Sequence, residues 1–501
     1  MGAKSLMIQG TMSGVGKSLL VAGLCRVLAQ DGVRVAPFKS QNMALNSAIT
    51  ADGLEIGRAQ AMQAEAAGID PTAAMNPVLL KPTTDTGSQV ILHGKPLGTM
   101  QAREYFRFRH TLKEPIMKAY RELQRDYDVI LIEGAGSPVE LNLKRDDIVN
   151  MGLARMTSSP VVLAGDIDLG GVFAQLVGTL MLLEDDERRL VKATIVNKFR
   201  GDPTLFSDGM RILRERTGLP VAGLMPYVQV DLEDEDSVSE RLNMRGRRGL
   251  VDIAVIRLPK ISNFTDFIAL EAVEGVGVRY VEDPHELGHP DLVIIPGTKA
   301  TLADLRWMRT TGMEVAVVRV ARSGVPVLGI CGGYQMLGEA VIDPRGMEGG
   351  GEERGLGLLP VRTTFCKEKR QTQVAGSFME VEGPLSVLAG TEVRGYEIHM
   401  GLTERTGGAP LLRLRDLDGE VTEDGCQAEG VYGTYLHGLF DTEGASTALV
   451  RALLRAKGLD SVQVRSQDMR AYKQRQFDVL ADGIRANLNM RLIYDIIEKG
   501  V

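Results

Sequence analysis

One cysteine in this chain stands where a strand is expected to turn sharply into a helix. The apolar run from Val325 to Ile330 predicts a buried strand, and Cys331 follows it directly. Gly329 and Gly333 complete a G-x-C-x-G pattern and lack the Cβ atoms that would block a strained elbow. Backbone N–H groups at the start of the following helix would favour a thiolate. An isolated buried cysteine is more often a small core residue, but this pattern predicts a nucleophile.

The histidine that best completes such a site is His437. It follows a short alternating strand that begins at Val431 and ends in a glycine turn. A strand end of this kind can hold an imidazole toward the elbow of a neighbouring strand. His399 is a second candidate for the same pocket, or else a hydrogen-bonded structural histidine. The other histidines lie in polar or proline-rich surroundings and are predicted to be surface residues: His93, His110, His285 and His289.

The segments Gly329–Gln335 and Tyr435–Gly438 resemble those of Triad-type class I glutamine amidotransferases. The resemblance implies a flavodoxin-like domain that hydrolyses glutamine. Cys331 would attack the side-chain amide, and His437 would take the thiol proton and pass it to the departing ammonia. Backbone N–H groups would stabilise the tetrahedral oxyanion. The resemblance assigns oxyanion stabilisation or glutamine binding to Gly297, Gly332 and Gln335.

One position departs from the pattern of that family. Most class I members carry a glutamate two residues after the histidine, whereas this chain has Leu439. The departure resembles the branch that amidates cobyrinic acids, in which cysteine and histidine act without that third residue. Glu397 and Asp441 are candidates for a substitute carboxylate, and the sequence does not decide between them.

A second chemical signal lies near residue 10. The short strand Ser5–Gln9 runs into the glycine-rich stretch Gly10–Ser18 and then into an apolar helix, which predicts a phosphate-binding loop. Lys17 would reach the terminal phosphates and the Ser18 hydroxyl would bind Mg²⁺. The loop length is similar to that of dethiobiotin synthetase, and this resemblance implies that Asn197 contacts adenine. The predicted ATP-binding residues are Gly10, Thr11, Gly14, Gly16, Lys17, Ser18 and Asn197.

Carboxylates that could hold the magnesium ion of a nucleotide follow predicted strands or turns. Glu133 ends an apolar strand, and parallel strands bring such residues to the edge that carries the phosphate loop. Glu133 is therefore the first candidate for a Mg²⁺ ligand, and Asp52 is the second. Ordinary solvated loop carboxylates are the alternative for both.

Composition limits the remaining possibilities. A net charge of -7 argues against a nucleic-acid surface, and the absence of an apolar run of about 18 residues argues against a membrane span. Four widely spaced cysteines form neither a disulfide framework nor a zinc pattern, so we expect free thiols in a reducing cytoplasm.

The length of 501 residues, with 44% hydrophobic and 25% charged residues, suits two catalytic α/β domains better than one. We predict an ATP-dependent synthetase domain at 1–230, a linker at 231–250, a glutamine amidotransferase domain at 251–445 and a helical C-terminal extension at 446–501. The expected fold is two parallel-sheet α/β domains, the first similar to P-loop NTPases of the dethiobiotin synthetase type.

Two further runs, Phe38–Ser47 and Met75–Pro82, closely resemble the cobyric acid synthase family. Members of that family amidate the b, d, e and g carboxylates of adenosylcobyrinic acid a,c-diamide and use one glutamine and one ATP each time. The resemblance implies a corrinoid substrate, and polar side chains suit its rim of carboxylates and amides. The candidate substrate-binding residues are Gln41, Asn42, Asn46 and Asp147, with turn or helix capping as the alternative for each.

Three alternative functions differ from this interpretation. A cobyrinic acid a,c-diamide synthase has the same two parts, but the run Lys39–Met43 argues against it. A regulatory ATPase with an inactive amidotransferase half is disfavoured by the intact Cys331 and His437. A ligase similar to CTP synthase would carry the glutamate that Leu439 replaces.

Overall fold

The structure, a computed structural model, describes residues 2–82, 87–228, 230–232, 249–459, 464 and 469–501. The chain divides into two compact units. The first contains Met1–Met43, Glu55–Glu233 and Lys473–Val501, and the second contains Ala44–Leu54 and Asp234–Tyr472. Most of the predicted linker at 231–250 lies outside the described residues.

Strands and helices are numbered along the chain. The strands up to residue 226 are β1 (Lys4–Gly10), β2 (Val35–Phe38), β3 (Gln41–Met43), β4 (Ser47–Ile49), β5 (Glu55–Gly57), β6 (Val78–Pro82), β7 (Gly87–Leu92), β8 (Lys95–Gln101), β9 (Val129–Glu133), β10 (Val161–Asp166), β11 (Val191–Phe199) and β12 (Val221–Pro226). The helices in this range are α1 (Lys17–Gln30), α2 (Arg58–Ala66), α3 (Ala102–Phe108), α4 (Lys113–Asp126), α5 (Met151–Thr157), α6 (Val172–Leu182), α7 (Asp185–Leu190) and α8 (Ser207–Thr217).

The later strands are β13 (Val251–Ile256), β14 (Val276–Val281), β15 (Leu292–Ile295), β16 (Val327–Ile330), β17 (Ala340–Asp343), β18 (Gly351–Arg354), β19 (Val361–Thr364), β20 (Arg370–Phe378), β21 (Glu392–His399), β22 (Leu402–Arg405), β23 (Leu412–Asp416), β24 (Val421–Asp424), β25 (Cys426–Ala428) and β26 (Val431–Thr434). The later helices are α9 (Ile268–Glu271), α10 (Thr301–Thr311), α11 (Met313–Arg322), α12 (Gly332–Leu337), α13 (Glu443–Ala456), α14 (Met469–Asn487) and α15 (Met490–Lys499).

A six-stranded parallel sheet forms the centre of the first unit, in the order β12-β11-β10-β1-β9-β2. All residues of β9 and β10 are buried, as expected for parallel strands that are covered on both faces. The carboxyl ends of parallel strands share one edge. The loop after β1 therefore lies at the same edge as Glu133 at the end of β9.

A second sheet, in the order β14-β13-β15-β16-β26-β25, is parallel except for β25 at its edge. In the pair β16 and β26, Ile330 lies opposite Thr434. This register brings the residues that follow the two strands to neighbouring positions, so the sheet itself places Cys331 near the chain that leads to His437.

Smaller sheets complete the two units. In the first unit they have the order β3-β6-β7-β8, and in the second unit β18-β17-β19-β22 and β21-β20-β23-β24. The predicted fold class, two mainly parallel α/β domains with C-terminal helices, is confirmed. None of the helices in the described ranges combines the length and the apolarity that a membrane crossing requires.

The C-terminal helices divide between the two units. Helix α13 belongs to the second unit, whereas the chain from Lys473 onward belongs to the first. Phe477 and Ile484 of α14 are fully buried in the hydrophobic core that also contains Leu24 of α1. A Cβ atom on Gly23 of α1 would lie 2.7 Å from Cγ1 of Ile484, so these helices pack in direct contact. The chain thus returns to its first core after the second unit is complete.

We expect Ile484→Ala to lower the free energy of unfolding of the first unit by about 2–5 kcal/mol, because it removes a fully buried side chain and leaves a cavity. Val479→Ala on the same helix is the control, since Val479 is 49% exposed. Hydrogen exchange of the β1 amides measures the two effects. Equal effects would contradict the packing of α14 on this core.

Candidate active site

Cys331 sits on a strained turn between β16 and α12. Its φ of 53° and ψ of -110° are unusual for a residue with a side chain, and its N–H donates to the Thr434 carbonyl at 2.8 Å. A Cβ atom on Gly333 would lie 2.0 Å from the Ile295 carbonyl oxygen, so only glycine fits there. The predicted sharp turn from strand to helix is therefore present, with the thiol at the beginning of the helix, and the role of Cys331 as a nucleophile stays a prediction.

His437 is fully buried, and the Cys331 thiol is among the groups that raise its pKa. The thiol itself donates to the Ile398 carbonyl at 3.7 Å. Its Nδ1 lies 2.7 Å from Oδ2 of Asp266, and the other oxygen of that carboxylate accepts the Gly438 N–H at 3.1 Å. Burial lowers the pKa of His437, but the charge and hydrogen bond of Asp266, together with Cys331, raise it to about 10. Asp266 and Cys331 therefore favour the imidazolium form of His437.

Asp266 supplies the carboxylate that the sequence left unassigned. It lies in the short 3₁₀ helix Phe264–Phe267 and is 3% exposed. Glu397, one of the two candidates, is instead ion-paired with Arg370. The second candidate, Asp441, lies beside Gly438. The carboxylate that contacts Nδ1 of His437 is that of Asp266. The arrangement is a cysteine, a histidine and an aspartate from three separate parts of the second unit.

Of the residues predicted for oxyanion stabilisation or glutamine binding, Gly297 lies beside His437 and Gly332 directly follows Cys331. A Cβ atom on Gly297 would lie 3.1 Å from Cε1 of His437, and one on Gly332 would lie 2.7 Å from Cγ2 of Thr298. Gln335 is buried, where it donates to the Tyr435 hydroxyl at 3.1 Å and accepts from Thr301 at 3.2 Å. Their roles toward glutamine stay predictions.

His399 has its own hydrogen bond and stacking partner. Its ring stacks on that of Tyr435 with 3.6 Å between centroids, and its Nδ1 lies 3.1 Å from the Gly401 carbonyl oxygen. Burial lowers the pKa of His399 to about 3. The ring is therefore neutral, which favours the structural alternative over a role as proton carrier.

The phosphate loop joins β1 to α1. Gly14 and Gly16 have φ values of 73° and 90°, and a Cβ atom on Gly16 would lie 2.5 Å from Nδ2 of Asn197. Lys17 donates to the carbonyls of Met12 and Gly136 at 3.0 and 3.3 Å, so its ammonium group lies across the loop. Nδ2 of Asn197 donates to the Val15 carbonyl at 2.7 Å. Asn197 thus holds the loop, and its contact with adenine stays a prediction.

Thr11, another residue predicted to bind ATP, donates its hydroxyl to the side-chain oxygen of Gln175 at 3.0 Å.

Glu133 is the centre of a buried polar cluster beside this loop. Its Oε1 accepts from the Ser18 hydroxyl at 2.9 Å and is ion-paired with Lys39 at 2.7 Å. Its Oε2 accepts from Gln63 at 2.5 Å and from Gln60 at 3.5 Å. A carboxylate and a hydroxyl are the hard oxygen donors that Mg²⁺ prefers, so these two residues fit a nucleotide-bound magnesium ion.

Other protein ligands for such an ion are few. In the described part of the chain, no group of three or more His, Cys, Asp or Glu side chains could hold a metal. Asp52 belongs to the second unit and is exposed, and it accepts a hydrogen bond from Thr50. Most ligands of a magnesium ion at Ser18 would therefore come from nucleotide phosphates and water.

Sequence comparisons identify both domains. Residues 6–237 match the CobQ/CobB/MinD/ParA nucleotide binding domain, and residues 252–445 match the CobB/CobQ-like glutamine amidotransferase domain. Over its whole length the chain is 54% identical to the cobyric acid synthase of Ruminiclostridium cellulolyticum, of which it covers 98%. The chain belongs to the cobyric acid synthase family. It is also 51% identical to the corresponding proteins of Lachnoclostridium phytofermentans, with complete coverage of both chains, and Citrobacter koseri, with 99% of each chain covered.

The residues predicted to bind substrate in this cobyric acid synthase family member have intramolecular partners. Gln41 accepts from the Tyr105 hydroxyl, and Asn42 donates to Gln60 at 3.1 Å. The Asp147 side chain accepts from backbone close to it in the sequence, whereas that of Asn46 accepts from backbone 217 positions away. Asn46 accepts the Asn263 N–H, and Asp147 accepts the N–H groups of Val149, Asn150 and Gly152. Asp147 thus matches the capping alternative, while substrate contacts of all four stay predictions.

Three residues that contact these sites have no predicted role from the sequence: Lys39, Asn263 and Asp266. Lys39 neutralises Glu133, and Asn263 lies 3.3 Å from Nε2 of His437. The sequence indicates them only through the runs in which they lie. Lys39 lies in the run Phe38–Ser47 and the other two lie in Ile261–Phe267, a run that also resembles the cobyric acid synthase family.

Proposed function

We propose that this chain converts adenosylcobyrinic acid a,c-diamide to adenosylcobyric acid in cobalamin biosynthesis by amidating the b, d, e and g carboxylates. Glutamine supplies the ammonia and ATP activates each carboxylate. One observation carries the proposal. A chain that matches cobyric acid synthases from end to end keeps both a complete Cys331–His437–Asp266 group and a phosphate loop beside Glu133.

The second unit has the groups that glutamine hydrolysis needs. The Cys331 thiolate attacks the side-chain carbonyl carbon of glutamine, and His437 gives its proton to the amide nitrogen, which leaves as ammonia. Water then hydrolyses the thioester to release glutamate. Asp266 holds the imidazole orientation and stabilises the imidazolium during both steps.

The first unit has the groups that carboxylate activation needs. A substrate carboxylate oxygen attacks the γ-phosphorus of ATP, ADP leaves, and an acyl phosphate remains. Ammonia then attacks the acyl carbon and releases inorganic phosphate. Lys17 neutralises phosphate charge, and Ser18 and Glu133 would hold Mg²⁺, which offsets the charge that develops on the phosphate oxygens.

The alternative, a cobyrinic acid a,c-diamide synthase, acts on two other carboxylates. The relatives from Ruminiclostridium cellulolyticum and Lachnoclostridium phytofermentans, 54% and 51% identical over the full length, are cobyric acid synthases, which favours the b, d, e and g positions. We place the reaction in the cytoplasm, since all four cysteines are free thiols, as a reducing compartment maintains.

The test is to incubate the protein with ATP, Mg²⁺, adenosylcobyrinic acid a,c-diamide and glutamine that carries ¹⁵N in its side-chain amide. We expect successive products in which carboxyl groups are replaced by labelled carboxamides, up to the fully amidated adenosylcobyric acid. Mass spectrometry follows each step, and omission of Mg²⁺ or ATP should stop all of them.

A parallel incubation with cobyrinic acid separates the two candidate functions. Amidation of its a and c carboxylates, with no reaction of the a,c-diamide, would establish the alternative function. No amidation of either corrinoid would refute the proposal.

A further inference from the structure

A short stretch of the N-terminal half of the sequence belongs to the second unit. We call Ala44–Leu54 the inserted segment, because the chain on both sides of it belongs to the first unit. Its flanks are anchored there. Asn42 donates to Gln60 at 3.1 Å, and Glu55 is ion-paired with Lys81 at 2.7 Å. The inserted segment is therefore a piece of the synthetase half of the sequence that is packed into the glutaminase unit.

Two hydrogen bonds join the inserted segment to Asn263. The Asn263 N–H donates to Oδ1 of Asn46 at 2.7 Å, and the Ser47 N–H donates to Oδ1 of Asn263 at 3.3 Å. Asn46 and Ser47 are fully buried. Asn263 has a φ of 53°, in the left-handed region where asparagine is enriched. The inserted segment thus fixes both the backbone and the side-chain amide of Asn263.

The same amide reaches the catalytic histidine. Nδ2 of Asn263 lies 3.3 Å from Nε2 of His437. Because Oδ1 already accepts from Ser47, the amide turns its NH₂ group toward the imidazole ring. An NH₂ donor needs a lone pair on Nε2, which only the neutral imidazole offers. Asn263 therefore favours a neutral His437 with its proton on Nδ1, facing Asp266.

The inserted segment also reaches the face of the imidazole. Tyr396 stacks on His437 with 5.2 Å between ring centroids, and its hydroxyl donates to the Ser47 carbonyl at 3.3 Å. Ile49 is buried together with Tyr396, and Gln373 donates to the Ile49 carbonyl at 2.9 Å. The ring and its Nε2 are both in contact with residues that the inserted segment holds.

Glutamine hydrolysis uses Nε2 in a different way. The nitrogen has to carry a proton while the imidazolium faces the Cys331 thiolate, and then give that proton to the departing ammonia. A hydrogen-bond donor at Nε2 competes with the thiol and disfavours the charged ring. Asp266 and Asn263 therefore act on the protonation of His437 in opposite directions.

We propose that Asn263 is a positioning residue which, oriented by Asn46 and Ser47, restrains glutamine hydrolysis by keeping Nε2 of His437 engaged as an acceptor. A shift of the inserted segment frees Oδ1 of Asn263, so that the amide can rotate and accept from a protonated Nε2 instead. The restraint links ammonia release to the position of a segment whose ends are fixed in the synthetase unit. It rests on the glutaminase activity within the proposed function.

The titratable groups around His437 do not supply a hydrogen-bond donor to its Nε2 in the way that the Asn263 amide does. Asp266 and Cys331 raise the pKa of His437, and neutral His399 stacks on Tyr435 rather than on the catalytic ring. The titratable groups next to His437 or its adjoining backbone are Asp266, Cys331, Tyr396, His399 and Asp441.

The test uses the full chain and measures glutamate release from glutamine without ATP or corrinoid. In Asn263→Ala we expect kcat to rise about fivefold, the factor that one ordinary hydrogen bond is worth, with an unchanged KM for glutamine. The alkaline limb of the pH profile should move to higher pH, because a donor that favoured the neutral imidazole is gone. A residue with a merely structural role would lower kcat and leave that limb in place.

Asn46→Ala should change kcat and the alkaline limb in the same direction, since it acts through Asn263. The double variant should show no further increase, because both changes remove one interaction. Ala51→Ser, at an exposed position of the same segment, is the control and should behave as the unaltered protein.

An unchanged or lower kcat with an unmoved alkaline limb in Asn263→Ala overturns the proposal. If that variant does not fold, the same result in Asn46→Ala overturns it. The outcome is separable from that of the proposed function, because glutamate release requires no corrinoid, whereas a wrong substrate assignment shows only as absent corrinoid amidation.

Discussion

Cys331→Ser is expected to lose glutamine-dependent amidation by roughly 10⁴-fold or more, as removal of a catalytic nucleophile does in other enzymes. Amidation with added ammonium salt should remain close to that of the unaltered protein. The reason is that Cys331 and its partners all belong to the second unit, while Lys17, Ser18 and Glu133 belong to the first. Product mass with glutamine or with ammonium chloride as nitrogen source measures both activities.

Cys366→Ser is the matched control for this experiment. Cys366 lies in the second unit but outside the site, with its thiol directed to the Glu368 carbonyl at 3.4 Å. It should keep both activities. Loss of ammonia-dependent amidation in Cys331→Ser would show that the two chemistries are not separable as we infer.

The sharp turn at Cys331 could be predicted because its signal is local. A run of apolar residues, a cysteine and three glycines within five positions determine the strand, the turn and the helix that follows. The phosphate loop is similar, since glycine, lysine and serine spacing alone places the backbone around a phosphate. Both predicted elements are present where the sequence places them, at Cys331 and at Gly10–Ser18.

The carboxylate that contacts His437 could not be predicted in the same way. Asp266 lies 171 residues before His437, and the tertiary packing of the second unit brings them together. The usual signal, a glutamate two residues after the histidine, is replaced by Leu439, which is buried in the core of the second unit. Glu397 and Asp441 were the candidates from the sequence, whereas the contact with His437 is made by Asp266, from a distant part of the chain.

The inserted segment was hidden for a related reason. Asn46 stands among polar residues that resemble a substrate site, and nothing in its local sequence shows that the chain leaves one unit for the other at Ala44. The return of α14 to the first core was equally unmarked, since an amphipathic helix does not specify which core covers it. Tertiary packing decides both.

Asp266→Asn is expected to lower kcat for glutamine hydrolysis by about 10²–10⁴-fold while the ammonia-dependent reaction persists. Asparagine keeps the size of the side chain, and the Gly438 N–H can still donate to its oxygen. Its NH₂ group would then face Nδ1 of His437 and force the ring proton onto Nε2, the nitrogen that has to accept the thiol proton. Glutamate release measured without corrinoid gives this effect directly.

The pH profile of the same variant tests the cause. Asp266 is the largest of the influences that raise the pKa of His437 to about 10 against the opposite effect of burial, and Cys331 adds to it. Without that charge burial prevails, the pKa falls, and the imidazolium is lost at lower pH, so the alkaline limb should move down. Glu397→Gln should leave the limb in place, because Glu397 pairs with Arg370 instead. If the alkaline limb moved in Glu397→Gln and not in Asp266→Asn, Glu397 would be the carboxylate partner of His437. The expected pair of results assigns that role to Asp266, which lies 171 positions from His437 in the chain.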